Sequence, residues 1–448
     1  ADAPITFRSE LSEDDPNYGN GRGLWGGLII NGYAPIANEG GTAAVEGLTG
    51  VLYGGSDPDD NSGVLRYVRV WNGGSSIAPD NEINGITLAG VGRGTTVEYC
   101  EVALNLDDGF EMFGGTVDLK YCSAVSVGDD AFDTDAGYQG RGQFLLVVRA
   151  DDSDKGHEMD SKTNGDLDSQ PRSHPHFANV TVISSVAHGE DALRLREGTG
   201  GDFRNYIIHG ANDGVRNDDN GSEVVTQDLA EAAAAGHPDF LYISGSMVMN
   251  GLGGDPWDDF DEATDGTWTG TYVMESAGLA YTVDANGLPA TLDVTPPMNG
   301  VAYQDVDTVI EDDFFVQTDY KGAFPSNANW LDGWSYLSDA GILLSADNNS
   351  PAIVADKITL HGNYPNPFNP STEIAFELGQ DYKTVELTVF NMVGQSVYEV
   401  SMKDMVAGFH QVTWNGSSVD GKLVPSGLYL YRISTETKSV IGKMTLLK

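Results

Sequence analysis

The chain has 448 residues, 40% hydrophobic and 20% charged, so it holds enough apolar side chains to bury a core and too little charge for a disordered polypeptide. Acids outnumber Lys and Arg by 67 to 24, and the net charge of −43 repels nucleic acid and anionic membranes while attracting divalent cations or basic partners. The sequence has no run of 18 or more apolar residues, which excludes a membrane-spanning helix, and its two cysteines exclude a disulfide framework and a cysteine zinc site.

Ala1-Asp2-Ala3-Pro4 has neither a charged nor an apolar leader segment and reads as a mature end left after a signal peptide. The alternating run Ile5-Thr6-Phe7-Arg8 is a short strand of the kind that can be donated to a partner's sheet edge. From about residue 20 to 350 the chain offers short β-branched and aromatic runs bounded by Gly, Asn and Asp. These include Leu65–Trp71, Gln143–Ala150, Asn179–Gly189, Phe203–Ala211 and Phe240–Gly251. The 56 glycines favour many turns. One helical excursion is expected at Thr226–Gly236.

A repeat organises these runs. Asp107-Asp108-Gly109-Phe110-Glu111 returns 22 residues later as Asp129-Asp130-Ala131-Phe132-Asp133, and Cys100 and Cys122 share the same spacing. Aligning the cysteines lays Tyr99 over Tyr121 and Glu98 over Lys120. Related phrases occur at Ile83–Thr87, Glu190–Arg194 and Asn212–Arg216. A period of this length built on strands marks a solenoid, here a right-handed parallel β-helix over residues 1–355. Loop insertions are expected at about 152–176 and 252–330. A β-barrel or propeller would need regular hairpins or a longer period. Rungs stacked about 4.8 Å apart bring Cys100 and Cys122 within disulfide reach, as a bond or as two core thiols.

Stacking also makes columns of acids. Carboxylates about 5 Å apart repel by roughly 3 kcal/mol at an effective dielectric near 20, so Asp107, Asp108 and Glu111 over Asp129, Asp130 and Asp133 call for compensation. Hard oxygen donors at this density, with Asp135 nearby, suit Ca²⁺; the other reading is that these acids cap turns and face solvent. His157, His174 and His176 beside acids are a weaker transition-metal set.

Two regions carry family resemblances. Asn363–Leu378 ("NYPNPFNPSTEIAFEL"), Val385–Val400, Gly408–Ile433 and Ile441–Lys448 resemble the type A C-terminal sorting domain of type IX secretion. That resemblance implies a small seven-stranded Ig-like sandwich over residues 356–448, contact with the type IX secretion machinery, and delivery to the exterior or outer surface of a Gram-negative bacterium. Independently, Pro365, Pro367 and Pro370 cannot donate ladder hydrogen bonds and mark an edge, and alternating strands follow. Residues 357–448 hold eight acids and eight bases, so the acidic excess belongs to the rest of the chain. Leu24–Ile36, Gly63–Gly74, Asp80–Val102 and Asp107–Val117 resemble secreted bacterial β-helix proteins without an assigned activity.

Function is expected to be structural or adhesive at the cell surface, with Ca²⁺ in acidic turns and self-association through open end rungs into fibres or arrays. The alternative is a polysaccharide-active enzyme or glycan-binding module. Asp129, Asp130, His157 and Arg194 resemble, in order, the carboxylates, His and Arg of polygalacturonases, although Arg196 stands where that family has Lys. Trp25, Trp71, Trp257, Trp268 and Tyr138 are the candidate sugar-stacking rings.

Overall fold

The structure is a computed structural model that describes the chain except residues 1–3, 12–14, 16–17, 46–49, 78–82, 162–168, 185–189, 219–223, 228–239, 261–267, 345–357, 379–381, 393, 406–407, 436–437 and 448. Two compact units are present, Ala1–Asn348 and Asn349–Lys448. The expected helix at Thr226–Gly236 lies almost wholly outside the described residues.

The first unit is a stack of parallel rungs. Its described residues form an eight-stranded and a thirteen-stranded sheet whose strand pairs are all parallel. In the eight-stranded sheet, Leu28, Ile86, Phe110, Phe132, His157, Leu193, Val215 and Trp257 form one column by direct register. Their neighbours form the next column: Ile29, Thr87, Glu111, Asp133, Glu158, Arg194, Arg216 and Asp258. Because strand side chains alternate, the first column packs into the core and the second faces out. The small residue in the repeated phrase has a steric cause: a Cβ on Gly109 would stand 2.5 Å from the Ala131 carbonyl oxygen of the next rung.

The thirteen-stranded sheet bends at a recurring corner. Tyr67, Tyr99, Tyr121, Phe144, Asn179 and Asn205 all have φ between 52° and 61°. A left-handed residue with a side chain costs roughly 1 kcal/mol, and stacking answers that cost here. The rings of Tyr67, Tyr99, Tyr121 and Phe144 stack in succession at 4.7, 4.6 and 4.8 Å. A segment from Val301 to Leu343 covers this face, with Phe324, Trp330 and Trp334 in its apolar cluster. Asn179 donates to Thr318 Oγ1 and the Tyr320 carbonyl, at 3.1 and 2.8 Å. Gln143 exchanges two bonds with the Val316 backbone, and Asn205 exchanges two with that of Asp307.

Some sequence expectations shift. Leu65–Trp71 is two strands, Val64–Arg66 and Val68–Trp71, with the Tyr67 corner between them. The stretch 152–176 contains a rung, His157–Met159; its alternation of His in, Glu out and Met in is too short and polar to read as a strand. Ile5–Phe7 is the chain's own first rung, paired with Val68–Val70. Cys100 and Cys122 lie on successive rungs as buried free thiols.

The second unit is a sandwich of seven described strands. Ile358–Tyr364, Thr372–Leu378 and Gly408–Trp414 form one sheet; Ser396–Met405, Tyr382–Asn391, Gly427–Ser434 and Ser439–Leu446 form the other. Its core includes Phe376, Leu387, Trp414 and Tyr431. Among the described residues, no helix is long and apolar enough to cross a membrane.

Candidate cation site

The repeated phrase places acids at two depths. The second acid of each copy bonds the rung above it: Asp108 Oδ1 accepts the Asp130 N–H at 2.9 Å, and Asp130 Oδ1 accepts the Lys155 N–H at 2.7 Å. Part of the acidic pattern is therefore a backbone clasp. The closing acids, Glu111 and Asp133, sit in register on the outer column.

Among the described residues, three trios of carboxylates have ligand oxygens within 4.8 Å of one another: Asp107/Asp108/Asp129, Asp108/Glu111/Asp133 and Asp129/Asp130/Asp154. Their surroundings differ. In the third, the Lys155 ammonium lies 2.7 Å from Asp154 and 3.7 Å from Asp130, and it also reaches Glu158 at 3.1 Å. Farther along, Arg196 pairs with Glu158 at 3.1 Å and with Asp160 at 2.9 Å. The strongest charge effects on Asp108 and Asp133 come from other acids. Burial pushes both carboxyls well above the usual range, and neighbouring carboxylates push the same way. Asp133 Oδ1 is buried and accepts no hydrogen bond among the described residues. Within the trio, Glu111 takes a hydrogen bond from Asn84 Nδ2.

The Asp108/Glu111/Asp133 trio thus gathers three carboxyl groups whose ionisation burial and mutual proximity oppose at Asp108 and Asp133, and it includes a buried acceptor, Asp133 Oδ1, with no hydrogen-bond partner among the described residues. It offers only carboxylate oxygens, which fits a hard cation such as Ca²⁺ and does not fit zinc or copper. Asp107 and Asp129 join the neighbouring trios. Asp135 stands apart at the end of its strand, with Oδ1 accepting the Ala136 N–H at 2.5 Å. The signal for the central trio was present in the sequence as the 22-residue repeat. The cations that neutralise the third trio were not legible, because Lys155 reaches it from the unrecognised rung.

The hydrolase constellation does not assemble. His157 points into the core, stacked on Phe132 with ring centroids 5.3 Å apart and tilted against Phe177 and Tyr206; burial lowers its pKa to about 3. Arg194 is tied to Asp218. His174 Nδ1 and His176 Nε2 meet at 3.1 Å, yet none of the three trios includes a histidine. Of the candidate sugar-stacking rings, Tyr138 is fully buried with its hydroxyl on the Val117 carbonyl, Trp25 Nε1 bonds the Trp71 carbonyl, and the half-buried Trp257 packs on Trp268 and Phe260.

A family model described as pectate-lyase like beta helix domain matches residues 1–238, and one described as FlgD Ig-like domain matches residues 363–439. No curated protein matches the chain. Solved structures with partial likeness include PorZ of Porphyromonas gingivalis, described as a bacterial surface component of its type IX secretion system: 22% identity over 22% of this chain and 13% of that one, TM-score 0.16. Latent dimeric PorU of the same organism gives 19% identity over 23% of this chain and 10% of that one, TM-score 0.19. FlgD of P. aeruginosa gives 15% identity over 21% of this chain and 74% of that one, TM-score 0.15. The chain spans only about a tenth of the lengths of PorZ and PorU.

Proposed function

The chain belongs to the family of pectate-lyase like β-helix domains, and from that premise we propose that it is an extracellular surface protein whose acid column holds Ca²⁺ between adjacent rungs. The observation that carries this reading is the buried Asp133 Oδ1, which has no hydrogen-bond partner among the described residues, inside a trio of carboxyl groups. A bound ion would take oxygens from Asp108, Glu111 and Asp133, replace their mutual repulsion with attraction, and pin two rungs together. The ion's role is cohesive. Calorimetric titration of the chelator-stripped protein with CaCl₂ tests it: saturable binding is expected, weakened at least tenfold in Asp133→Asn. No heat of binding, or binding unchanged in the variant, would refute the site.

Export by the type IX route through residues 356–448 belongs to the same proposal. It is supported by the resemblance of Asn363–Leu378 and Ile441–Lys448 to the sorting domain and by the self-contained Ig-like core of that unit. Joined to a periplasmic reporter in a bacterium with type IX export, this unit should carry the reporter to the cell surface.

A second reading, a polysaccharide lyase, is favoured by the family and by the basic side chains Arg194, Arg196 and Arg216 beyond Glu158 on the same face. A lyase needs a base that is already unprotonated, so that it can take the proton from the substrate's carbon. Carboxylate partners raise Arg196 and Arg216 further above the ordinary guanidinium range, which makes them counterions rather than bases. The cation-binding surface protein is the reading retained.

A further inference from the structure

Away from the acid column, five segments converge on a cavity of about 650 Å³. Tyr18, Arg22, Asp152, Asn286, Leu288 and Tyr336 line it. They come from the N-terminal loop, the loop after Val148, the turn of the Ala280–Asp293 hairpin and the short helix Tyr336–Asp339, and Leu104 closes the wall at a rung corner.

Each wall is fixed by the solenoid. The sequence Tyr18-Gly19-Asn20-Gly21-Arg22-Gly23 places its three glycines at φ of 60°, 81° and 68°, and a Cβ on Gly21 would stand 3.0 Å from the Tyr18 ring. Asn72 holds this loop by donating to the Gly21 carbonyl at 2.7 Å and to the Tyr18 hydroxyl at 3.3 Å. The hairpin turn accepts the Asp151 N–H at the Gly287 carbonyl, and the Tyr336 N–H donates to Glu101 Oε1 at 2.7 Å. Such walls need little ordering to receive a ligand.

Arg22 supplies the chemistry. Its side chain is 4% exposed; Nε donates to the Ser126 carbonyl at 3.0 Å, and Nη1 meets Asp152 at 2.9 Å. Nη2 is buried and without a hydrogen-bond partner among the described residues. A buried guanidinium nitrogen beside a cavity is a donor awaiting an acceptor. Asp152 already balances its charge, and a chain of net charge −43 repels anions. Tyrosines beside amide and guanidinium donors favour a ligand with hydroxyl acceptors and an apolar ring face.

We propose that this cavity is a binding site for a neutral sugar unit, hydrogen-bonded by Arg22 and bordered by Tyr18 and Tyr336, independent of the cation site. Calorimetry of the full chain against a panel of neutral mono- and disaccharides (glucose, galactose, mannose, maltose, cellobiose) tests it. At least one is expected to bind with a Kd of about 1 mM or tighter, unaffected by EDTA. Arg22→Met should weaken that binding at least tenfold. The Asn286 side chain is exposed, so Asn286→Trp should block the cavity and abolish binding with the melting temperature kept. Three outcomes would overturn the proposal: no binding across the panel, binding that survives both substitutions, or binding lost with EDTA and in Asp133→Asn, which would put the sugar on the acid column.

Discussion

The two sheets of the solenoid face outward in opposite ways. On the thirteen-stranded sheet, the outward columns are aromatic rings and amides, and the segment Val301–Leu343 lies over them with its backbone groups paired to Gln143, Asn179 and Asn205. On the eight-stranded sheet, the outward column runs through Glu111, Asp133 and Glu158 and then switches to Arg194 and Arg216. Stacking like on like at one strand spacing stabilises rings, which attract, and amides, which donate and accept. It destabilises carboxylates, which only repel. The first face is covered by the chain's own segment, and on the second, among the described residues, Glu158 meets Lys155 and Arg196 while Asp258 meets Arg216. Between Asp108, Glu111 and Asp133 the carboxylate oxygens come within 4.8 Å of one another, and there the proposed cation would sit.

Breaking the completed face should have the largest effect. Trp334 is fully buried under the Tyr67 and Tyr99 rings, so Trp334→Ala should destabilise the first unit by about 4 kcal/mol in urea titration. A loss below about 1 kcal/mol would mean that the covering segment contributes little. The open face should respond to Ca²⁺ instead. A free concentration a hundredfold above Kd stabilises by about 2.7 kcal/mol, read as a rise of several degrees in melting temperature that Asp133→Asn removes.

The inner side of the acid sheet has its own sensitivity. Folding holds His157 neutral with its pKa lowered to about 3, so below the unfolded value near 6.5 the unfolded chain binds the proton first. Stability is therefore lost as pH falls from 6.5 toward 3, by about 2 kcal/mol at pH 5 for this one group. His157→Phe continues the ring column above Phe132 and should remove that slope, measured as urea midpoints at pH 5 and 7. Glu101 gives the opposite sign on the covered face: burial raises its pKa to about 7, so its contribution is full below about 4.5 and is lost as pH rises through 7. Smallest should be the effect of thiol reagents. Cys100 and Cys122 are fully buried, and burial pushes the Cys122 thiol well up, so native protein should label negligibly and react only when unfolded.

Much of the solenoid was legible because its period is written in bulky and acidic residues together. Asp107–Glu111 over Asp129–Asp133 set the register that the rungs follow, and the phrases at Ile83, Glu190 and Asn212 extended it correctly. The rung His157–Met159 escaped notice because three residues cannot display a period, and one of its inward positions is a histidine rather than a hydrophobe. The Val301–Leu343 segment was equally hidden. It repeats nothing, and what ties it down is the amide column it covers, whose members Gln143, Asn179 and Asn205 lie far apart in sequence.

The order of residues was enough to establish stacked strands, a separate Ig-like unit and an outward row of acids, since each rests on short-range pattern: alternation, spacing and turn chemistry. Which acids carry their own countercharge was settled only by folding, as was which imidazole is buried and where Arg22 keeps a donor unused. Those outcomes depend on side chains meeting across rungs and covering segments, where burial weakens solvation and a neighbour a few ångströms away decides the charge.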